Sequence, residues 1–206
     1  MTVESNRPIR ILHVATGNVG RIALSQVIED PRFELVGLVV TDPAKVGEDA
    51  GTLAHLDVVT GITAIDDLDA AIALQPDCAV YCALAEVRFF ESLADLQKLL
   101  AAGINVVSSS PATLVYPYGL LPDSMIDPIE DACQAGKVSL FVTGVDPGWA
   151  NDLLPFAIAS TCLKVEKITC SEIADYATYD GAPVMFDVMG FGNEIGDLPM
   201  LFQPGT

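Results

Sequence analysis

The sequence predicts an α/β fold with a doubly wound parallel sheet, and three observations carry that prediction. Apolar runs alternate with helix-patterned segments along most of the chain, the order that parallel sheets require. The runs are nearly continuous (LVGLVV, INVV, LFV), which fits strands buried on both faces. The first run breaks into Ala15-Thr16-Gly17-Asn18-Val19-Gly20 and then passes into a helical pattern.

That third feature has a chemical meaning. A buried strand feeding a glycine turn and a new helix is how a Rossmann-type sheet holds the pyrophosphate of a dinucleotide. The glycines let the backbone approach the phosphates, and the free N–H groups and dipole of the helix face the negative charge. The pattern here is A-x-G-x-x-G, with Ala15 where the fingerprint has its first glycine. Strands are expected at 9–15, 34–41, 79–83, 104–109 and 138–143, with a weaker one near 62–64. Helices are expected at about 18–29, 66–74, 87–102 and 123–135. Asp30-Pro31 ends the first helix, and Gly103 and Gly136 stand where helices hand over to strands, as C-cap glycines do.

Composition shifts near Gly144. Gly144-Val145-Asp146-Pro147-Gly148-Trp149 reads as a turn-rich hinge, with a helical pattern at 150–160 and a single strand over Val165–Ala174. The only tryptophan, Trp149, reads equally as a packing anchor or a pocket wall. The expected organisation is a dinucleotide-binding domain at 1–145 and the start of a second, α+β substrate domain at 146–206. One helix and one strand cannot bury a domain's apolar surface, and a lone strand edge needs pairing. The second part is therefore read as truncated, with an uncovered apolar face at Val184, Met185, Phe186, Val188, Met189 and Phe191.

Composition narrows the partners. The 206 residues are 51% hydrophobic and 18% charged, ample for a buried core. A net charge of −18 and a pI near 4.1 argue against nucleic acid, which needs clustered Lys and Arg. No signal peptide or membrane span is read in the sequence. The five cysteines are scattered, which predicts reduced thiols in a cytoplasmic protein. With two histidines, one inside the first strand, no metal site is expected. A small-molecule substrate fits best, and a homo-oligomer stays open.

Gly17-Asn18-Val19-Gly20-Arg21, Glu34-Leu35-Val36-Gly37 and Gly47-Glu48-Asp49-Ala50-Gly51 together resemble the nucleotide domain of dihydrodipicolinate reductase. Gly144-Val145-Asp146-Pro147-Gly148 with Asp152-Leu153-Leu154-Pro155 is similar to the 2,4-diaminopentanoate dehydrogenase and amine dehydrogenase branch, whose members are longer. Both branches imply hydride exchange between NAD(P)H and a C=N or C–N carbon. Two departures stand out. Cys170-Ser171-Glu172-Ile173-Ala174-Asp175-Tyr176 lacks the reductases' histidine-pair, basic motif, and Pro111-Ala112-Thr113-Leu114 before Tyr116-Pro117 lacks the acid of the amine dehydrogenases.

Candidate site residues follow. Gly17, Asn18, Val19 and Gly20 would cradle the pyrophosphate. Thr41 and Asp42, ending the second strand, would meet the adenosine ribose. Thr41 and Lys45 favour NADP, while Asp42 favours NAD or serves as a turn residue before Pro43. Ala83, Leu84 and Ser109 would flank the nicotinamide. Glu172 and Tyr176, sharing a strand face, and Tyr179 are the candidates for proton handling. The expected function is an NAD(P)H-dependent oxidoreductase acting on a C=N or C=O carbon of a small molecule. The alternative is a catalytically silent dinucleotide-binding sensor or paralogue.

Overall fold

The computed structural model describes residues 7–85, 88–179 and 181–199. The chain divides into two compact units, Met1–Val165 and Glu166–Thr206. In the first, β1 (Ile9–Val14), α1 (Asn18–Glu29) and β2 (Phe33–Val39) are followed by α2 (Ala50–Leu53), β3 (Ala64–Ile65), α3 (Leu68–Ile72) and β4 (Cys78–Tyr81). Then come α4 (Phe89–Ala101), β5 (Asn105–Ser108), α5 (Asp123–Gly136), β6 (Leu140–Val142) and α6 (Leu154–Ala159). The six strands pair in parallel in the order β3-β2-β1-β4-β5-β6. This is the Rossmann-type doubly wound α/β sheet that the alternating pattern predicts. The helix expected over 87–102 is found as Phe89–Ala101, with Val87 outside the described residues.

Burial explains why the apolar runs are continuous. Leu12, Val14, Ala79, Tyr81 and Val106 pack with Leu96, Leu99 and Leu100 in one core, and Leu24, Leu38, Val40 and Ala64 form a second. The carboxyl-terminal halves of β1 and β2 thus spend every residue on a core, while β4 and β5 alternate buried with less buried positions.

Two glycines read as helix caps play different roles. Gly103 takes φ +81 just past α4, the left-handed turn such a cap requires. Gly136 remains inside α5, and Lys137 takes the left-handed position instead. A Cβ on Gly136 would lie 2.0 Å from the Leu100 carbonyl oxygen, so this glycine serves the close approach of α5 to the end of α4.

The glycine-rich segment 47–51 is a staple. Asp49 caps α2 through Gly51 N (2.8 Å) and also accepts from Thr60 N, Thr60 Oγ1 and Gly61 N. These backbone donors hold its carboxyl below the usual range.

After β6, residues 144–149 close on themselves. Trp149 N donates to Gly144 O (2.9 Å) and Gly148 N to Asp152 Oδ2 (2.7 Å). A π-helical turn, Trp149–Leu153, then leads into α6. Trp149 is exposed.

The strand expected over Val165–Ala174 does not form; residues 167–175 carry neither helix nor strand. A strand exists only with a ladder partner, and among the described residues none pairs with this segment. In the second unit, Pro183–Val188 makes a π-helical turn through the stretch expected to present an uncovered apolar face. Met185 is buried there while Phe186 and Phe191 stay exposed. Residues 200–206 lie outside the described residues.

Candidate functional site

The strand order reverses between β1 and β4, and the crevice beyond their carboxyl ends is where open α/β sheets bind ligands. Five chain segments meet there through four main-chain bonds. Ala15 N donates to Val39 O (2.8 Å), Cys82 N to Val14 O (2.9 Å), Ser109 N to Tyr81 O (3.0 Å) and Thr143 N to Ser108 O (2.9 Å). The ends of all the central strands are thereby tied into one ridge.

The glycine turn sits at the middle of that ridge. Gly17 is the N-cap of α1 and offers no side-chain cap, and the first helical turn carries no acidic residue. Gly17, Asn18 and Val19 are exposed, so the positive end of the helix faces outward uncompensated. Arg21, half-buried beside them, adds a cation. A Cβ on Gly17 would meet nothing within 4 Å. The protein itself does not need glycine at this position, so the open space is a cradle that a side chain would fill. Gly20 is the opposite case: its Cβ would lie 2.2 Å from Ala15 O and 3.2 Å from Cys82 Cβ.

Ala15 adopts φ +73, a left-handed conformation that costs a non-glycine residue about 1–2 kcal/mol. Beneath it, His13 is fully buried and places Nε2 2.9 Å from Ala15 O. Burial pushes the imidazole down to about 4, against the pull of the Ala15 carbonyl. The ring is neutral at pH 7. Since a carbonyl only accepts, Nε2 bears the proton and donates. The sequence reading dismisses His13 as a metal ligand and misses its place under the turn. The available signal is its position two residues before Ala15, on the buried strand.

Beyond β2, Asp42 caps the 3-10 turn Pro43–Lys45, its Oδ1 accepting from Ala44 N at 2.9 Å. The turn role left open by the sequence is therefore occupied. Lys45 Nζ reaches back to Thr16, donating to its carbonyl oxygen (3.0 Å) and to Oγ1 (3.1 Å). Thr41 is exposed beside this turn.

At the ends of β4 and β5, Leu84 is exposed, Ser109 half-buried and Ala83 buried. Ala83 can contribute main chain only, and its carbonyl already accepts from Ser110 Oγ. Ser108 Oγ donates to Tyr81 O at 3.0 Å, so Ser108 and Ser110 are scaffold. Burial raises the Cys82 thiol, partly offset by Ser109, which keeps it protonated and inert. Behind this edge, Tyr81 donates to Asp95 Oδ2 (2.9 Å), which also takes Arg88 Nη2 (3.2 Å). Burial, aided by the Asp95 charge, pushes the Tyr81 phenol far above its usual range. The signal for this cluster is the seven-residue spacing of Asp95 on α4 from Arg88, the N-cap residue of that helix.

The remaining candidates lie in the second unit. Asp175 caps the 3-10 turn Tyr176–Thr178 through Ala177 N (2.9 Å). Tyr176 and Glu172 do not share a strand face, because the strand is absent. They are nonetheless neighbours, with the Tyr176 hydroxyl 3.4 Å from Glu172 Oε1. The Tyr176 ring meets Tyr179 edge-on at 6.0 Å and Phe191 at 5.8 Å. Among the described residues, no group of three or more His, Cys, Asp or Glu could hold a metal ion. Nor is any helix among them long and apolar enough to cross a membrane.

No protein-family profile matches the chain. An amine dehydrogenase from Streptomyces virginiae is 40% identical over 189 residues, which are 92% of this chain and 52% of the relative. The chain thus spans about half the length of that relative. An amine dehydrogenase structure from Mycobacterium smegmatis superposes with a TM-score of 0.66 at 21% identity, over 79% of this chain and 46% of that one. A biliverdin reductase from Synechocystis, solved with biliverdin and NADP+, gives 0.51 at 18% identity, over 68% and 39%. At these identities the structural likenesses establish the fold.

Proposed function

We propose that this chain is the dinucleotide-binding part of an NAD(P)H-dependent oxidoreductase, similar to amine dehydrogenases, that exchanges hydride with a C=N or C=O carbon of a small molecule. The observation that carries the reading is the Gly17–Gly20 turn at the switch point of the sheet, with space above Gly17 where a side chain would stand. The main chain of Gly17, Asn18, Val19 and Gly20 would take the pyrophosphate, with Arg21 alongside. Leu84 and Ser109 would border the nicotinamide, which supplies or accepts the hydride when bound. The chain's own part is binding, orientation and charge placement.

The finer choice of cofactor falls on NADP. Asp42 Oδ1 is engaged by its own turn, while Lys45 Nζ bonds two oxygens of Thr16. An ammonium has three donors, so one remains for a 2′-phosphate. The proton-handling group is proposed among Glu172, Tyr176 and Tyr179, of which the first two are in contact.

Titration of nicotinamide fluorescence tests the reading. Wild type binds NADPH, Gly17→Val abolishes binding with an unchanged melting temperature, and Lys45→Ala shifts preference toward NADH. Equal binding by wild type and Gly17→Val would move the site elsewhere. Binding without turnover over a panel of ketones with ammonia favours the silent-sensor alternative.

A further inference from the structure

The carbonyl of Ala15 is clamped from two sides. His13 Nε2 holds it at 2.9 Å from below, and Gly20 lies so close that any Cβ there would overlap it. A trans peptide is planar, with its C=O and N–H pointing opposite ways. Turning the Ala15 carbonyl toward His13 therefore turns the Thr16 N–H away from the His13 ring. Among the described residues, Thr16 N–H donates to no protein acceptor. We infer that His13 is a positioning residue: by donating to Ala15 O it locks the Ala15–Thr16 peptide so that Thr16 N–H joins the amides that bind the pyrophosphate. This inference rests on the dinucleotide reading above.

Two further observations agree with a device of this kind. Ala15 is held at φ +73, so the turn relaxes toward an ordinary conformation once its carbonyl is released. The Nδ1 of His13 is buried without a partner, and in the neutral ring with Nε2 protonated it carries only a lone pair. A charged ring would bury a full charge at this position. The ring is thus kept as a single-donor clamp.

Three variants separate positioning from simple packing. His13→Leu keeps the buried volume and removes the donor. His13→Gln retains an N–H donor at similar reach. Leu38→Val thins the core at the residue paired with His13 across β1 and β2 without touching the turn. Measured by nicotinamide fluorescence with NADPH, His13→Leu raises Kd about tenfold, the order of one lost hydrogen bond. His13→Gln recovers most of that loss, and Leu38→Val lowers the melting temperature yet binds as wild type. Wild-type affinity in His13→Leu, or an equal loss in Leu38→Val, overturns the clamp. If His13→Leu fails to fold, the Thr16 amide resonance of the wild type decides. It moves downfield on adding NADPH if the peptide is a ligand, and stays fixed if the inference is wrong. A wild type that binds neither NADPH nor NADH sinks the dinucleotide reading itself, and the clamp with it.

Discussion

The glycine turn after β1 and the segment from Cys170 to Tyr179 carry the two halves of the proposed chemistry, and they are built by opposite means. The turn is fixed by partners distant in sequence: Val39, Lys45 and Cys82 all bond to residues 14–16. Around Tyr176 the hydroxyl lies 3.4 Å from Glu172 Oε1, Asp175 caps the turn through Ala177 N, and the ring meets Phe191. Main-chain sites at the end of a sheet inherit the rigidity of the ladder. Residues 170–175 carry neither helix nor strand, so no ladder braces the side chains they present.

The sharpest way to break that contrast is at Gly20. Gly20→Ala would set a Cβ 2.2 Å from the Ala15 carbonyl, and backbone cannot yield as a flexible side chain does. Thermal denaturation is expected to show a loss of about 3 kcal/mol or more. Stability close to wild type would mean that the turn is as pliable as the later segment.

Acidification probes the same region through His13. Its folded-state value of about 4 lies below the ordinary 6.5, so below pH 6.5 the unfolded chain binds the proton that the folded chain refuses. Stability is full above 6.5 and falls as pH drops toward 4, by about 3 kcal/mol if the shift is fully expressed. Denaturant midpoints at pH 7 and pH 4.5 check this, with His13→Gln removing most of the slope.

Ala15→Gly relieves the left-handed strain at φ +73. Relief outweighs the added flexibility of the unfolded chain, and a gain of about 1 kcal/mol in denaturant unfolding is expected. A loss would show that the clamp, not the residue type, sets the conformation at no cost.

The smallest effect belongs to the second region. Tyr176→Phe removes a hydroxyl with a long, exposed contact to Glu172, so stability should change by less than about 0.5 kcal/mol. A larger loss would show that residues 170–191 are held as firmly as the turn.

The difference between regions also explains what could be read in advance. The sheet was legible because β1 and β2 end in runs buried on both faces, and unbroken apolar runs such as Leu35–Val40 have few other solutions. The turn was legible because Gly17 and Gly20 sit at a spacing with a geometric purpose. The strand expected over Val165–Ala174 failed because β-alternation states only that a segment could pair. It does not supply the partner.

Local pattern by itself determined the order of strands and long helices through β6 and the glycine turn at the head of α1, since these depend on burial period and backbone freedom over a few neighbouring positions. Tertiary structure alone decided that Gly17 faces open space while Gly20 faces a carbonyl, that Asp42 caps a turn while Lys45 crosses to Thr16, and that His13 lies beneath Ala15. Those assignments depend on atoms brought together from separate strands, and no local periodicity encodes which strands become neighbours.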